Sequence, residues 1–90
     1  MVTVRIPTQL RSLSGGTSQV KVEAGTVAEA LKALDGAHSG FAERLFDDSG
    51  ALRRFVNVFV ADEDIRFLQG IDTPVAEGQV VSIVPAVAGG

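Results

Sequence analysis

Arg54-Phe55-Val56-Asn57-Val58-Phe59-Val60 is the stretch on which the fold turns. Successive side chains of an extended strand point to opposite faces. Val56, Val58 and Val60 therefore share one face, and Phe55, Asn57 and Phe59 the other. β-Branched and aromatic residues dominate the stretch, the composition that a pleated sheet accommodates best. Both faces cannot point into one helix-covered core. The valine face is expected beneath a helix. At least part of the Phe55/Phe59 face, with neighbours on the last strand, is then an exposed apolar patch for partner docking, or else the rings are covered by Phe41, Phe46 or a loop.

The helix that would cover the valines lies upstream. Thr26-Val27-Ala28-Glu29 has the spacing of a capping box: the threonine oxygen accepts an early helix N–H and the glutamate reaches back. Val27, Ala30, Leu31 and Leu34 then fall on one helical face, and Asp35-Gly36 is expected to close the helix. Phe41, Ala42, Leu45 and Phe46 suggest one or two further helical turns before a turn at Asp47-Asp48-Ser49-Gly50. Further out, Val2, Val4 and Ile6 alternate with Thr3 and Arg5, and Val20, Val22 and Ala24 with Gln19, Lys21 and Glu23. These read as two strands of a hairpin with a loose loop through Gly15-Gly16. Downstream, Asp62-Glu63-Asp64 turns the chain into a short strand, Ile65-Arg66-Phe67. A loop from Thr73-Pro74 to Glu77-Gly78-Gln79 leads to the last strand, Val80 to Val84, which Pro85 stops.

One main helix among four to five strands makes an α+β domain of two layers. If the first and last strands pair in parallel, the topology is the ubiquitin-like β-grasp, a mixed sheet packed on one main helix. Residues 1–85 are read as that domain and residues 86–90 as a flexible C-terminal tail, mobile in the free protein.

Composition narrows the function. A chain of 90 residues forms one domain and buries only about 60–65% of its unfolded surface, with little room for a deep cavity. It has no cysteine, which excludes disulfides, thiolate metal sites and a cysteine nucleophile. Net charge is −3, a poor match for nucleic acid or an anionic membrane. No apolar run approaches the ~20 residues of a membrane span, and Met1–Pro7 does not read as a signal peptide, so a cytoplasmic protein is expected. The single histidine, His38, reads as a solvated loop residue. Asp62-Glu63-Asp64 reads as a turn and not as a metal site, and no metal is expected. No phosphate-binding loop or nucleophile elbow occurs, so the chain is not read as an enzyme.

The remaining feature is Gly89-Gly90. With 10 glycines in 90 residues, such an ending arises by chance in about 1% of chains, so it invites a chemical reading. A terminal carboxyl has a pKa near 3.3–3.7 and is ionised at neutral pH. A carboxylate resists nucleophiles until it is coupled to a leaving group such as AMP. Glycines, lacking Cβ, leave the carbonyl accessible and let the backbone thread a narrow tunnel. Ala86, Val87, Ala88, Gly89 and Gly90 extend about 17 Å, enough to enter a partner's buried site.

Glu77-Gly78-Gln79-Val80-Val81-Ser82-Ile83-Val84-Pro85, followed by the small residues to Gly90, resembles the closing strand, proline and tail of the ubiquitin-like sulfur carriers of the thiamin and molybdopterin type (ThiS/MoaD). The resemblance spans essentially the whole chain. It is nearest to the actinobacterial carriers for cysteine synthesis at Phe55–Val60, at Asp62–Phe67 and at Pro85–Gly90, and weakest at the start and over Gly36–Arg53. It implies that Gly90 is the reacting terminus. An E1-like adenylating and sulfurtransferase enzyme, using ATP and magnesium, would activate it, and a thiocarboxylate would form. A downstream synthase, whether pyridoxal-phosphate-dependent or thiosugar-forming, would take the sulfur. The carrier itself would bind no cofactor. The alternative is a ubiquitin-like modifier joined to lysine through Gly90.

Overall fold

The computed structural model describes residues 1–53 and 56–85. Five strands form one sheet in the order β2-β1-β5-β3-β4: β1 is Val2–Arg5, β2 Gln19–Val22, β3 Val56–Val60, β4 Glu63–Asp64 and β5 Val80–Pro85. The first and last strands are parallel, with Thr3 opposite Val80 and Arg5 opposite Ser82. The remaining pairs are antiparallel. This is the expected β-grasp, a mixed five-stranded sheet with α1, Val27–Ala37, packed on one face.

Register decides what α1 covers. Val4 lies opposite Val81, Val60 opposite Val81 and Val58 opposite Ile83. Aligned Cα positions share a face, so these side chains make one apolar surface. The four helix residues expected to face it, Val27, Ala30, Leu31 and Leu34, are all fully buried. Phe41 and Leu45 from α2, Phe41–Leu45, complete the core.

The ends of α1 depart in part from expectation. Thr26 Oγ1 accepts from Glu29 N at 3.2 Å, but the Glu29 carboxylate reaches Gly25 N, at 2.7 Å, instead of the cap's own amide. Gly36 does not close the helix: it lies inside it, and His38 is the C-cap, donating its N–H to Leu34 O at 2.8 Å. Asp35 looks forward instead. Its Oδ1 accepts from Gly40 N at 3.2 Å and Ala42 N at 3.0 Å, which starts α2. Gly40 has φ 108, and a Cβ there would meet Leu13 at 3.2 Å, so glycine permits both the bend and the close approach.

A second correction concerns Ile65–Phe67, read as a strand. The strand is Glu63–Asp64, and Ile65–Phe67 is a 3₁₀ turn. Asp64 Oδ1 accepts from Arg66 N at 2.9 Å, capping that turn. Ile65 plugs the core while Phe67 points outward. Finally, β5 includes Pro85 by backbone pairing with Val56, so the strand runs one residue beyond Val84.

Candidate functional site

The face of the sheet opposite α1 carries the alternate residues of every strand. Thr3 and Arg5 come from β1, Lys21 from β2, Val80, Ser82 and Val84 from β5, Asn57 and Phe59 from β3, and Asp64 from β4. It is more polar than the covered face, yet Phe59 is half-buried there and Val84 is 43% exposed. Phe41 and Phe46, which could have covered Phe59, belong to the opposite layer with α1. A cleft of about 440 Å³ opens on this face, with Phe59, Val84 and Pro7 among its apolar lining and Arg5, Asp62 and Ser82 among its polar lining. Phe59 thus lines a concavity, together with Pro7 and Gln9 from the segment that follows β1. Phe55, expected beside it, lies outside the described residues, as do Ala86, Val87, Ala88, Gly89 and Gly90. The expectation of a mobile tail falls on those same residues.

Geometry still fixes where the tail begins. β5 runs parallel to β1, so its C-terminal end lies beside Ile6 and Pro7, and Val84 lines the cleft. β5 therefore ends beside this cleft.

Other features carry structure. Among the described residues no group of three His, Cys, Asp or Glu side chains converges as a metal site. Asp64 is engaged as a cap and lies 4.0 Å from Arg66 Nε. His38 ends α1. A larger cleft, about 580 Å³, opens beside the core between Leu52–Arg53 and Ile65–Ile71. Among the described residues its lining contains no acid, histidine or hydroxyl side chain, so these residues offer no acid–base pair. Asp47, far from the sheet face in the turn before β3, has its carboxyl held below the usual range, first by the Ser49 hydroxyl that donates to it.

Sequence reasoning pointed to last-strand neighbours of Phe59 without naming Val84, and it missed Arg5 and Asp62 as members of the cleft. The alternation of Val80, Ser82 and Val84 could have found Val84. The other two meet only when β1, β5 and β3 are laid side by side. Phe67, 86% exposed, was also missed, because a strand reading hid the turn that exposes it.

The ThiS family profile matches residues 4–90, from β1 through Gly90. The chain belongs to the ThiS family. Sulfur carrier protein CysO from Mycobacterium tuberculosis is 48% identical over 91 residues, covering 99% of this chain and 98% of that protein. In the crystal structure of the Amycolatopsis orientalis BexX/CysO complex, a chain 43% identical superposes with a TM-score of 0.94 over 100% of both chains. SAMP1 from Haloferax volcanii, 31% identical, superposes with a TM-score of 0.78 over 99% of this chain and 98% of that one. These ThiS-family likenesses agree with the sheet order and the single main helix described above. No helix among the described residues is long and apolar enough to cross a membrane.

Proposed function

We propose that this chain is a sulfur carrier whose reacting group is the Gly90 carboxylate. The observation that supports this most is the ThiS-family match that runs through Gly90, with 48% full-length identity to a protein named as a sulfur carrier. In the proposed cycle a carboxylate oxygen of Gly90 attacks the α-phosphorus of ATP on an activating enzyme that uses magnesium, and pyrophosphate leaves. A sulfur donor then attacks the acyl carbon, and AMP departs with the electron pair of the C–O bond. The product is a thiocarboxylate, and its sulfur adds to an electrophile held by a downstream synthase. The carrier supplies a recognisable domain and a deliverable nucleophile, and the enzymes supply acid–base chemistry. Phe59 and Val84 provide the apolar part of the surface on which these enzymes dock.

Incubation with ATP, the activating enzyme and a sulfide source should yield a carrier heavier by the difference between one sulfur and one oxygen. Deleting Gly90 should leave the melting temperature unchanged and abolish ATP–pyrophosphate exchange. The shortened carboxylate would stop about 3.5 Å short of the α-phosphate, and a miss of ~1 Å can already cost about a hundredfold in rate. Undiminished exchange by that deletion would end the carrier reading. The likeness to SAMP1, a small archaeal modifier, favours a second reading, conjugation of Gly90 to lysine. Lysine conjugates forming without a thiocarboxylate would favour it over the first.

A further inference from the structure

The cleft on the open sheet face is electrically lopsided. Arg5 stands on the β1 side of β5, and Asp62 comes from the turn after β3, on the other side. Both line the same concavity as Phe59 and Val84, and Arg5, Ser82 and Phe59 lie in one row across β1, β5 and β3. Neither makes an ion pair with any described residue. A cation and an anion thus line one partly apolar cleft, each without an ion-pair partner among the described residues.

The turn that carries Asp62 adds a second observation. Val60 pairs with Glu63, leaving Ala61 and Asp62 as a two-residue loop with φ 51 and 70. Two-residue hairpin loops of type I′ require positive φ at both positions. Glycine, asparagine and aspartate tolerate that region best, and of these only aspartate carries a charge. The loop uses the charged member at the one position that lines the cleft.

We propose that this cleft orients the activating enzyme by charge. An acidic side chain of that enzyme pairs with Arg5, a basic one pairs with Asp62, and an apolar side chain fills the space against Phe59 and Val84. The inference rests on the carrier reading above. Orientation matters because the five residues after Pro85 span only about 17 Å. An enzyme rotated half a turn on the sheet would place its nucleotide away from the end of β5, and it would set like charges against each other. A second copy of this chain could also match the charges. However, one half-buried phenylalanine and one valine among polar residues make a poor homodimer core, which is more apolar than a transient interface.

The test is steady-state ATP–pyrophosphate exchange with the activating enzyme, itself identified by its exchange with the wild-type carrier. Arg5→Gln and Asp62→Asn should each raise the KM for the carrier about three- to tenfold with kcat nearly unchanged, the size of effect expected of rim charges. The KM of wild type should rise with salt more steeply than that of either variant. Lys32→Gln makes the same charge change as Arg5→Gln on the exposed side of α1 and should leave KM unchanged. Asp62→Gly relaxes the turn, so it should melt no lower than wild type yet still raise KM. Active wild type with unaltered KM in the cleft variants would overturn the charge inference alone, as would a Lys32→Gln effect equal to that of Arg5→Gln. It would also fall if sedimentation gave a wild-type dimer that both cleft variants dissociate. A wild type inert with every candidate activating enzyme would instead overturn the carrier reading.

Discussion

The two faces of this sheet are built from the same strands and do different work. Along β3, Val56, Val58 and Val60 are buried while Asn57 and Phe59 are half-buried. Along β5, Val81 is inaccessible and Val84, three residues on, is 43% exposed. The covered face meets α1 and supplies the core, which in a small domain provides most of the stabilisation. The open face has no covering layer, so its apolar residues cannot be explained by the same burial. Val84 lies near the end of β5, and Phe59 and Val84 share their cleft with Arg5 and Asp62, which have no ion-pair partner among the described residues; the proposed docking role gives these apolar residues a use that burial does not. A sheet covered on one side therefore separates the residues that build the core from those proposed to dock, at a spacing of one position along the chain.

That separation is most easily broken by its largest consequence. Leu31→Ala removes a fully buried side chain from the helix face and should destabilise by about 3 kcal/mol, in the range of core truncations. For a domain of this size each kcal/mol moves the melting temperature by about 4–8 °C, so a fall of well over ~10 °C is expected in a thermal melt. The folded fraction should keep its activation kinetics, since Leu31 touches no docking surface. A melt within a few degrees of wild type would mean that α1 is not the stabilising layer.

Phe59→Ser tests the other face. The ring is only half-buried, so the stability loss should be about 1 kcal/mol, a fraction of the Leu31 value. Exchange with the activating enzyme should fall far more than the melt suggests. A melting loss as large as that of Leu31→Ala, with activation intact in the folded fraction, would assign Phe59 to the core. Val84→Ser sharpens the contrast because that side chain is more exposed. It should change stability by no more than about 0.5 kcal/mol and still raise the carrier KM.

How much of this was legible beforehand follows from range. The buried helix face was readable residue by residue, because Val27, Ala30, Leu31 and Leu34 repeat at the period of a helix that must cover a sheet. The valine face of β3 was readable by the same logic at period two. Gly36 misled because a glycine near a helix end usually terminates it. Here the helix continues, at a local cost of about 1 kcal/mol, while the Asp35 carboxylate binds the amides that start α2. Ile65–Phe67 misled because three residues of alternating character suit a strand or a capped 3₁₀ turn equally. Asp64, with Arg66 two residues on, held the deciding signal. Phe59 could be nominated from its own strand, whereas Arg5 and Asp62 are 57 positions apart in number and meet through strand order, which no local pattern encodes. The chemistry expected at Gly90 was read from composition and resemblance, and it lies outside the described residues.

The smallest effect is the most discriminating about the turn that carries Asp62. Ala61 has φ 51, a region where an L-residue with a Cβ is disfavoured by roughly 1 kcal/mol or more relative to glycine. Its N–H donates to Val80 O at 3.3 Å, so the turn also closes onto the start of β5. Ala61→Gly removes the steric penalty in the folded state and keeps that hydrogen bond. It also makes the unfolded chain more flexible, which offsets part of the gain by about 0.5–1 kcal/mol. The net should be a stabilisation of a few tenths of a kcal/mol, a rise of about 1–4 °C in the melting temperature by the scaling that applies to this length. Because Asp62 keeps its position and charge, the carrier KM should not move. A drop in melting temperature would show that the alanine methyl makes contacts that outweigh the strain. A changed KM at unchanged stability would show that the docking surface includes the turn's backbone and not only the Asp62 carboxylate.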